Sequence, residues 1–264
     1  MAGIATPRDL DTFPLGRENP PVLRFAISLG HECEAQAVRV AELGDLEGAA
    51  RALGLERRPC LAVVGGASRM SAEEVEVVRT AFEDVLAPTA GRLLCVVVDG
   101  GTDAGVMRLM GQAREAASGT FPLVGVVVDA LAAYGSGNAD PDAGELEPHH
   151  THFVLVPGSR WGEEAEWLAR LASVIAGSAG SATVVANGGQ VAWRDVRHSV
   201  EARRPVIALA GSGRTADALA AAVRGEESDR RAGELVDSGL VRAVDVTDRN
   251  ELARVLHDSL VEGT

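Results

Sequence analysis

The sequence contains no lysine: all 25 of its basic residues are arginine, against 38 acidic residues, for a formal charge of −13. A P-loop needs a lysine to reach the phosphates of a nucleotide, and a Schiff base needs a lysine amine, so both chemistries are excluded. The acidic balance argues against broad nucleic-acid binding, which depends on basic patches. It does not exclude a local arginine site for a single phosphate group.

Aromatic residues and cysteines are also scarce. Aromatics make up 3% of the 264 residues, so Val, Leu and Ala must build the core. The three cysteines, Cys33, Cys60 and Cys95, contain no CxxC pair, and an odd number does not suit a disulfide framework. The N-terminus lacks an apolar signal segment, and the longest uncharged stretch, Leu171 to Trp193, is interrupted by glycines. We expect a cytoplasmic protein that does not bind membranes.

Short apolar runs alternate with segments of helical spacing along most of the chain. The predicted strands are Val22–Ile27, Leu61–Val64, Leu93–Val98, Leu123–Val128, Phe153–Val156, Thr183–Ala186, Val206–Leu209 and Val241–Val246. The predicted helices cover residues 71–86, 104–117, 161–176, 191–202, 215–223 and 251–260. The first of them opens with Ser71 and Glu74, which have capping-box spacing. This alternation predicts a doubly wound α/β fold, with a mainly parallel sheet and helices on both faces.

The distribution of proline and glycine predicts the domain boundaries. Residues 1–20 contain three prolines and few apolar residues, which is typical of an irregular N-terminal arm. No proline-rich linker divides the remainder, so residues 21–264 are predicted to form one domain. The longest polar segment, residues 134–150, is either a binding loop or a disordered one, and both interpretations stay open.

Glycines recur immediately after five of the predicted strands, each time ahead of a helical segment. They are Gly65 and Gly66, Gly100 and Gly101, Gly158, Gly188 and Gly189, and Gly211 and Gly213, which flank Ser212. The carboxyl ends of parallel strands share one edge of a sheet, where open α/β folds bind their ligands. Glycine lets a phosphate approach backbone N–H groups, and helix N-termini attract anions. The pattern favours a ligand crevice, although tight turns also need glycine for steric reasons alone.

Several polar residues near these turns are candidate ligand contacts. Thr102 suits either a helix cap or a phosphate oxygen, and Asp99 suits a base, a ribose contact or a turn cap. Arg214, at a predicted helix N-terminus, suits a phosphate, as do Ser68 and Arg69.

Three histidines, His149, His150 and His152, precede a predicted strand. A metal site here would need Glu145 and Glu147 to complete its ligand set, and we predict no metal. His152 is the preferred ligand contact because it enters the strand that leads to Gly158.

Three segments, in this order, resemble the SLOG domain of the cytosolic N-terminal region of TRPM ion channels. They are GGTDAGVM (100–107), HHTHFVLVPG (149–158) and RRPVIALAGSGRTADALA (203–220), and the prokaryotic LSDAT branch is the most similar. The resemblance spans about residues 61–222. It implies a Rossmann-like fold of the SMF/DprA–LOG superfamily, a nucleotide-derived, ADP-ribose-like ligand, no required cofactor, and self-association into a homo-oligomer. By position it implies ligand contacts at Gly65, Gly66, Gly100, Gly101, Thr102, Gly105, Val106, His152, Gly211, Ser212, Gly213 and Arg214.

The same superfamily includes LOG phosphoribohydrolases, which carry a PGGxGTxxE motif at a strand end. The nearest segment here is NGGQVAWRD (187–195), which keeps the glycine pair but replaces Gly-Thr with Val191 and Ala192 and the glutamate with Asp195. Three hypotheses follow. The first is a ligand-binding or sensing domain. The second is a nucleotide or ADP-ribose hydrolase that cleaves an N-glycosidic or phosphate bond, with Asp99 or Asp195 as its acid–base residue. The third is a scaffold whose glycine turns are purely structural.

Overall fold

The computed structural model describes residues 22–29, 33–67, 70–134 and 142–261. The predicted arm over residues 1–20 and the candidate contacts Ser68 and Arg69 lie outside these ranges. Within them the strands are β1 Arg24–Ser28, β2 Glu34–Arg39, β3 Cys60–Gly65, β4 Val96–Asp99, β5 Leu123–Val128, β6 Ala132–Ala133, β7 Gly144–Glu145, β8 His152–Val156, β9 Ser181–Ala186, β10 Val206–Ala210 and β11 Val241–Asp245. The α-helices are α1 Leu46–Ala52, α2 Ala72–Ala81, α3 Ala87–Arg92, α4 Gly105–Ala116, α5 Ala165–Ala176, α6 Gln190–Glu201, α7 Arg214–Val223, α8 Arg230–Val236 and α9 Arg249–Val261.

Nine strands form one sheet in the order β1-β2-β8-β5-β4-β3-β9-β10-β11. Every neighbouring pair is parallel except β1 with β2. From β3 the chain builds the sheet outward through β4, β5 and β8 on one side, and then through β9, β10 and β11 on the other. This confirms the predicted doubly wound, mainly parallel α/β fold. The strand order reverses between β3 and β9, where such folds place their ligand crevice.

Apolar side chains cover both faces of the sheet. In β3, Ala62 and Val64 belong to the core layer that contains Leu171 of α5, whereas Leu61 and Val63 belong to the layer that contains Met110 of α4. Strands buried on both faces must be apolar at consecutive positions. This explains why nearly continuous runs of Val, Leu and Ala predicted the central strands correctly.

The first part of the chain departs from the predicted strand–helix alternation. The run predicted over Val22–Ile27 is the antiparallel edge strand β1, and it pairs with β2. Strand β2 lies outside the predicted strands because its sequence, EAQAVR, lacks the continuous apolar run on which those predictions rest, and its two end residues are exposed. In the structure β2 pairs in parallel with β8, and β1 lies beyond β2 as the edge strand of the sheet.

The helix predicted over residues 71–86 is longer and less regular than expected. Its capping box is confirmed: the Glu74 N–H donates to Ser71 Oγ over 3.2 Å, and the Ser71 N–H donates to Glu74 Oε2 over 2.8 Å. Helix α2 then passes through a π-helical turn into α3, which ends at Arg92. Because Leu94 adopts a positive φ of 52°, β4 begins at Val96 instead of Leu93.

Candidate functional site

A cavity of about 590 Å³ lies at the carboxyl ends of β3 and β4. Small-molecule sites in proteins commonly enclose about 300–1,000 Å³. The cavity is walled by the turns after β3 and β4, the segment around β7, the turn after β8, and helices α4, α5 and α6. The residues that line it are Val63, Val64, Gly65, Ala67, Gly100, Thr102, Asp103, Ala104, Met107, Ala143, Gly144, Glu145, Trp161, Glu164, Leu168, Val191 and Asp195.

The turn after β4 contributes two predicted contacts to this lining, Gly100 and Thr102. A Cβ atom added at Gly100 would meet only the Met107 side chain, at 3.7 Å or more, so the missing side chain leaves space in the cavity. Thr102 forms an antiparallel bridge with Leu146 and does not cap α4, whose N-cap, Ala104, has no capping side chain. The alternative reading of Thr102 as a helix cap is therefore wrong.

Other glycines of the predicted site are explained by close backbone packing. An added Cβ would lie 1.9 Å from the Ala186 carbonyl oxygen at Gly65, and 2.0 Å from the Gly66 carbonyl oxygen at Gly105. The fold needs glycine at these positions whether or not a ligand binds. The same holds at Gly101, where an added Cβ would lie 2.8 Å from the Gly125 Cα.

Asn187, which sequence reasoning did not single out, joins three of the glycine turns at the switch point. Its Nδ2 donates to the Ser212 carbonyl oxygen over 2.7 Å, and its backbone N–H donates to Ser212 Oγ over 2.8 Å. An added Cβ at Gly66 or at Gly213 would come within 2.8 Å of the Asn187 side chain. The turns after β3, β9 and β10 therefore meet at this amide, and the predicted contact Ser212 already binds it.

The remaining predicted contacts do not line the cavity. The Gly188 N–H donates to Asn187 Oδ1, and the Gly211 N–H donates to Asp217 Oδ1. Arg214 is exposed at the start of α7 and forms no hydrogen bond or ion pair with the described residues. The others that lie outside the lining are Gly158, which follows β8, Gly189, which precedes α6, and Val106, whose N–H donates to the Gly66 carbonyl oxygen.

His152 lies at the opposite edge of the sheet. It is the first residue of β8, beside Val124 near the start of β5, whereas the glycine turns follow the strand ends. Burial, together with Arg114, Arg24 and Arg58, lowers the pKa of His152 to about 4. The fold thus separates His152 from the other predicted ligand contacts.

His150, two residues earlier, belongs to a buried group that we call the acidic network: Asp99, His150 and Glu147. His150 Nε2 is 2.8 Å from Asp99 Oδ1, and His150 Nδ1 is 2.8 Å from Glu147 Oε2. Burial favours a neutral imidazole, but the Asp99 charge and the hydrogen bonds to Asp99 and Glu147 outweigh it and raise the pKa of His150 to about 9. An imidazolium therefore lies between two buried carboxylates. Asp99 Oδ1 also accepts the Gly101 N–H over 2.8 Å, which confirms the turn-cap reading of Asp99.

The acidic network fixes one wall of the cavity. The Glu147 N–H donates to the Gly101 carbonyl oxygen, and the Asp103 N–H donates to the Glu145 carbonyl oxygen. A Cβ at Gly111, in the middle of α4, would lie 2.2 Å from the Glu147 carboxylate, so this glycine makes room for it. These contacts hold the segment that supplies Gly144 and Glu145 to the cavity.

A second group of buried acids faces the cavity directly, and we call it the carboxyl pair: Glu164 and Asp195. Glu164 is 8% exposed, and its Oε2 accepts the Gly162 N–H over 2.7 Å. Asp195 is 7% exposed, and its carboxyl group has no hydrogen-bond partner among the described residues. Burial and the charge of Glu164 raise the pKa of Asp195 to about 8, against the opposing effect of Arg194. Burial also raises the pKa of Glu164.

The charges around the cavity all have one sign. Its charged lining residues are Asp103, Glu145, Glu164 and Asp195, and of these Asp103 binds Arg108, with 2.6 Å between Oδ1 and Nε. Chemically, this lining offers apolar surface for a ring, acceptors for N–H or O–H groups, and at Asp195 a carboxyl group that is protonated near neutral pH. No group of three His, Cys, Asp or Glu side chains in the described part of the chain is arranged as a metal site.

The doubly wound parallel sheet with a cleft at its carboxyl edge defines a Rossmann-like protein. Within that class, residues 58–254 match the family described as SLOG in TRPM, prokaryote (LSDAT), which is most of the chain. The chain therefore belongs to this family, which confirms the resemblance seen in its three motifs. No curated protein matches the chain in sequence.

Solved structures of similar fold share little sequence with this chain. A protein designated TM1055 is 20% identical with a TM-score of 0.50, covering 75% of this chain and 98% of its own. A molybdenum cofactor binding protein from the phototrophic bacterium Rippkaea orientalis is 14% identical with a TM-score of 0.49, covering 76% and 98%. The molybdenum cofactor carrier protein of Chlamydomonas reinhardtii is 16% identical with a TM-score of 0.49, covering 75% and 96%. At these identities the likeness to TM1055 concerns the fold alone.

Across the described ranges, none of the helices has both the length and the apolar character that a membrane span requires.

Proposed function

We propose that this protein binds a small nucleotide-derived molecule of the ADP-ribose type and acts as a sensor of it. The observation that carries the proposal is the cavity of about 590 Å³ at the carboxyl ends of β3 and β4. It lies at the edge where doubly wound sheets bind ligands, and it is large enough for a nucleoside with part of its phosphates. Membership of the SLOG in TRPM family supports a ligand of this class.

Gly100 provides the test of this site, because a side chain can be added there without disturbing the backbone. Wild-type protein should be stabilised by one of ADP-ribose, cyclic ADP-ribose, NAD, AMP or ATP in a thermal-shift assay. A ligand at about 100 times its dissociation constant stabilises the folded state by about 2.7 kcal/mol. Gly100→Val should remove the shift because it fills the cavity, while leaving the unliganded melting temperature within a few degrees of wild type.

The matched control is Gly233→Val on α8, where an added Cβ meets nothing within 4 Å and no cavity is filled. This variant should keep the ligand-induced shift. If no nucleotide shifts the wild type, or if Gly100→Val responds as the wild type does, the proposal is wrong. In that case the glycine turns would be structural, as the scaffold hypothesis states.

The carboxyl pair favours one second candidate, a hydrolase of the LOG type. Asp195 occupies the position of the LOG glutamate and lines the cavity, whereas Asp99 is fully buried in the acidic network. Neutral Asp195 would protonate the leaving base as the N-glycosidic bond breaks. Water would then add its hydroxyl to the sugar carbon and return its proton to the Asp195 carboxylate.

Chromatography of each ligand after incubation separates the hydrolase from the sensor. Release of a free base or of a ribose phosphate, lost in Asp195→Asn while the thermal shift remains, would support hydrolysis. An intact ligand that still stabilises the protein would support sensing. Size-exclusion chromatography with light scattering, with and without ligand, would test the proposed self-association.

A further inference from the structure

We propose that the carboxyl pair forms a subsite for an uncharged, hydrogen-bond-donating part of the ligand, and that the ligand's phosphates lie away from it. The donors would be N–H groups of a base or O–H groups of a ribose. This inference rests on the proposed function, since it assigns an orientation to the same ligand in the same cavity.

The carboxyl group of Asp195 is the observation that points to a ligand, because it opens into the cavity. Its side chain is more than nine-tenths buried, lines the cavity and has no hydrogen-bond partner among the described residues. Buried polar groups in folded proteins nearly always have a hydrogen-bond partner. Glu164, its neighbour across this end of the cavity, accepts one backbone N–H at Oε2 and has further acceptor capacity at Oε1. An N–H or O–H group of a ligand would supply the hydrogen-bond donor that the chain itself does not place there.

The same geometry disfavours a phosphate at this position. A phosphate would face two carboxyl groups with no cation beside them, and it would repel either group in its ionised form strongly because the dielectric is low. Arg194 opposes the rise in the pKa of both carboxyl groups, but it is exposed and does not line the cavity, and Arg108, which is bound to Asp103, does not line it either. N–H and O–H groups carry no such penalty, and they can donate to the carbonyl oxygen of a carboxyl group whether or not that group is ionised.

Isothermal titration calorimetry with phosphate-free probes tests the subsite. Adenosine carries both kinds of donor, purine riboside lacks the exocyclic amine, and 2′,3′-dideoxyadenosine lacks both ribose hydroxyls. In Asp195→Leu and Glu164→Leu the Kd of adenosine should rise about fivefold or more, since a buried donor left without its acceptor costs about 1–3 kcal/mol. Asp195→Asn, which keeps one acceptor oxygen, should lose less. If the substitutions no longer change the Kd of one analogue, the group that this analogue lacks is the donor that binds the carboxyl pair.

The matched control is Glu166→Leu, which removes an exposed carboxylate from the first turn of the same helix, two residues from Glu164. Adenosine should bind this variant within twofold of wild type. Urea unfolding of each variant establishes that a lost affinity does not reflect a lost fold. Asp195→Asn preserves size and shape, so it provides the comparison if a leucine variant does not fold.

AMP and ADP-ribose, titrated in parallel, distinguish failure of the subsite from failure of the proposed function. Nucleotides that bind wild type and the carboxyl-pair variants equally would overturn the subsite and leave the proposed function standing. Adenosine binding that depends on the pair, with no binding of any phosphate-bearing compound, would support the subsite and overturn the nucleotide proposal. If no probe binds, both are wrong.

Discussion

The acidic network and the carboxyl pair are both buried acid clusters, yet they differ in what lies beside them. In the network, the chain places the His150 ring between Asp99 and Glu147, so each carboxylate has a cationic partner. In the carboxyl pair, Glu164 accepts one backbone N–H from Gly162, and the nearest cation, Arg194, is exposed and does not line the cavity. Buried charges with partners hold a structure together, and those without partners raise its energy until something binds or protonates them. The acidic network is therefore paired within the fold, whereas the carboxyl pair faces the cavity, where we propose that a ligand binds.

The largest effect should come from removing the cation of the acidic network. His150→Leu would leave buried Asp99 without a cationic partner and Glu147 with only His149, which should lower the free energy of unfolding by about 3–5 kcal/mol. Urea unfolding at pH 7 measures this. His198→Leu, which removes a partly exposed histidine paired with exposed Glu201, should cost less than about 1 kcal/mol. Similar losses in the two variants would show that the network does not stabilise the fold.

The pH dependence of stability provides a second test of the contribution that His150 makes to the fold. Folding raises the pKa of His150 from 6.5 to about 9, so its contribution is fully present below pH 6.5 and is lost as the pH rises through 9. Wild type should lose about 3 kcal/mol of unfolding free energy across this interval because of His150. The His150→Leu variant should lack that part of the decline. If the unfolding free energies of wild type and His150→Leu depended on pH in the same way, His150 would not be the group responsible for the decline.

Removing the charge of Asp195 should stabilise the protein, which is the opposite of removing His150, although both groups make stability fall as the pH rises. Folding raises the pKa of Asp195 from 3.8 to about 8, so the folded state is penalised increasingly as the pH rises between these values. Asp195→Asn should therefore stabilise the protein, by little at pH 4 and by about 2 kcal/mol at pH 8, which is less than the full pKa difference implies because a buried amide also carries a desolvation cost. Asp237→Asn, on the exposed surface after α8, should change stability by less than about 0.5 kcal/mol at both pH values. A destabilised Asp195→Asn would mean that Asp195 has a partner in the fold.

The smallest effect should come from the ion pair between Arg108 and Asp103, at the mouth of the same cavity. The two side chains are 50% and 29% exposed, so solvent screens their attraction. Arg108→Gln should cost less than about 1 kcal/mol, and the loss should shrink further in 0.5 M salt. If Arg108→Gln lost as much unfolding free energy as we expect for His150→Leu, the exposed ion pair would matter as much as the buried one, and the comparison would fail.

Local sequence patterns predicted much of the fold, whereas the site depended on distant contacts. The β3 run is recognisable because both of its faces are buried, and Ser71 with Glu74 predicted a helix start because capping is local. The half-polar β2 was missed because its burial depends on pairing with β8, more than 100 residues later.

Predicting the site from sequence was limited in the same way. The glycine turns identified the edge of the sheet where the cavity lies, but most of those glycines have a positive φ that the turn itself requires. Only Gly65, Gly100 and Thr102 of the predicted contacts line the cavity. Asp99 and His150 are 51 residues apart, and no local pattern states that they touch. Two residues carried a sequence signal for these clusters. Gly111 lies in the middle of a helix, where glycine lowers helix stability, and Asp195 occupies the LOG glutamate position.

The hairpin of β1 and β2 lies before residue 58, where the family match begins, yet it forms the outer end of the sheet. A chain trimmed to residues 58–254 would lose both strands and α1, and would end inside α9. Strand β8 would then present an unpaired row of N–H and C=O groups beside newly exposed apolar residues. Uncovered sheet edges of this kind pair with other molecules, so the trimmed protein should aggregate while the longer chain stays dispersed.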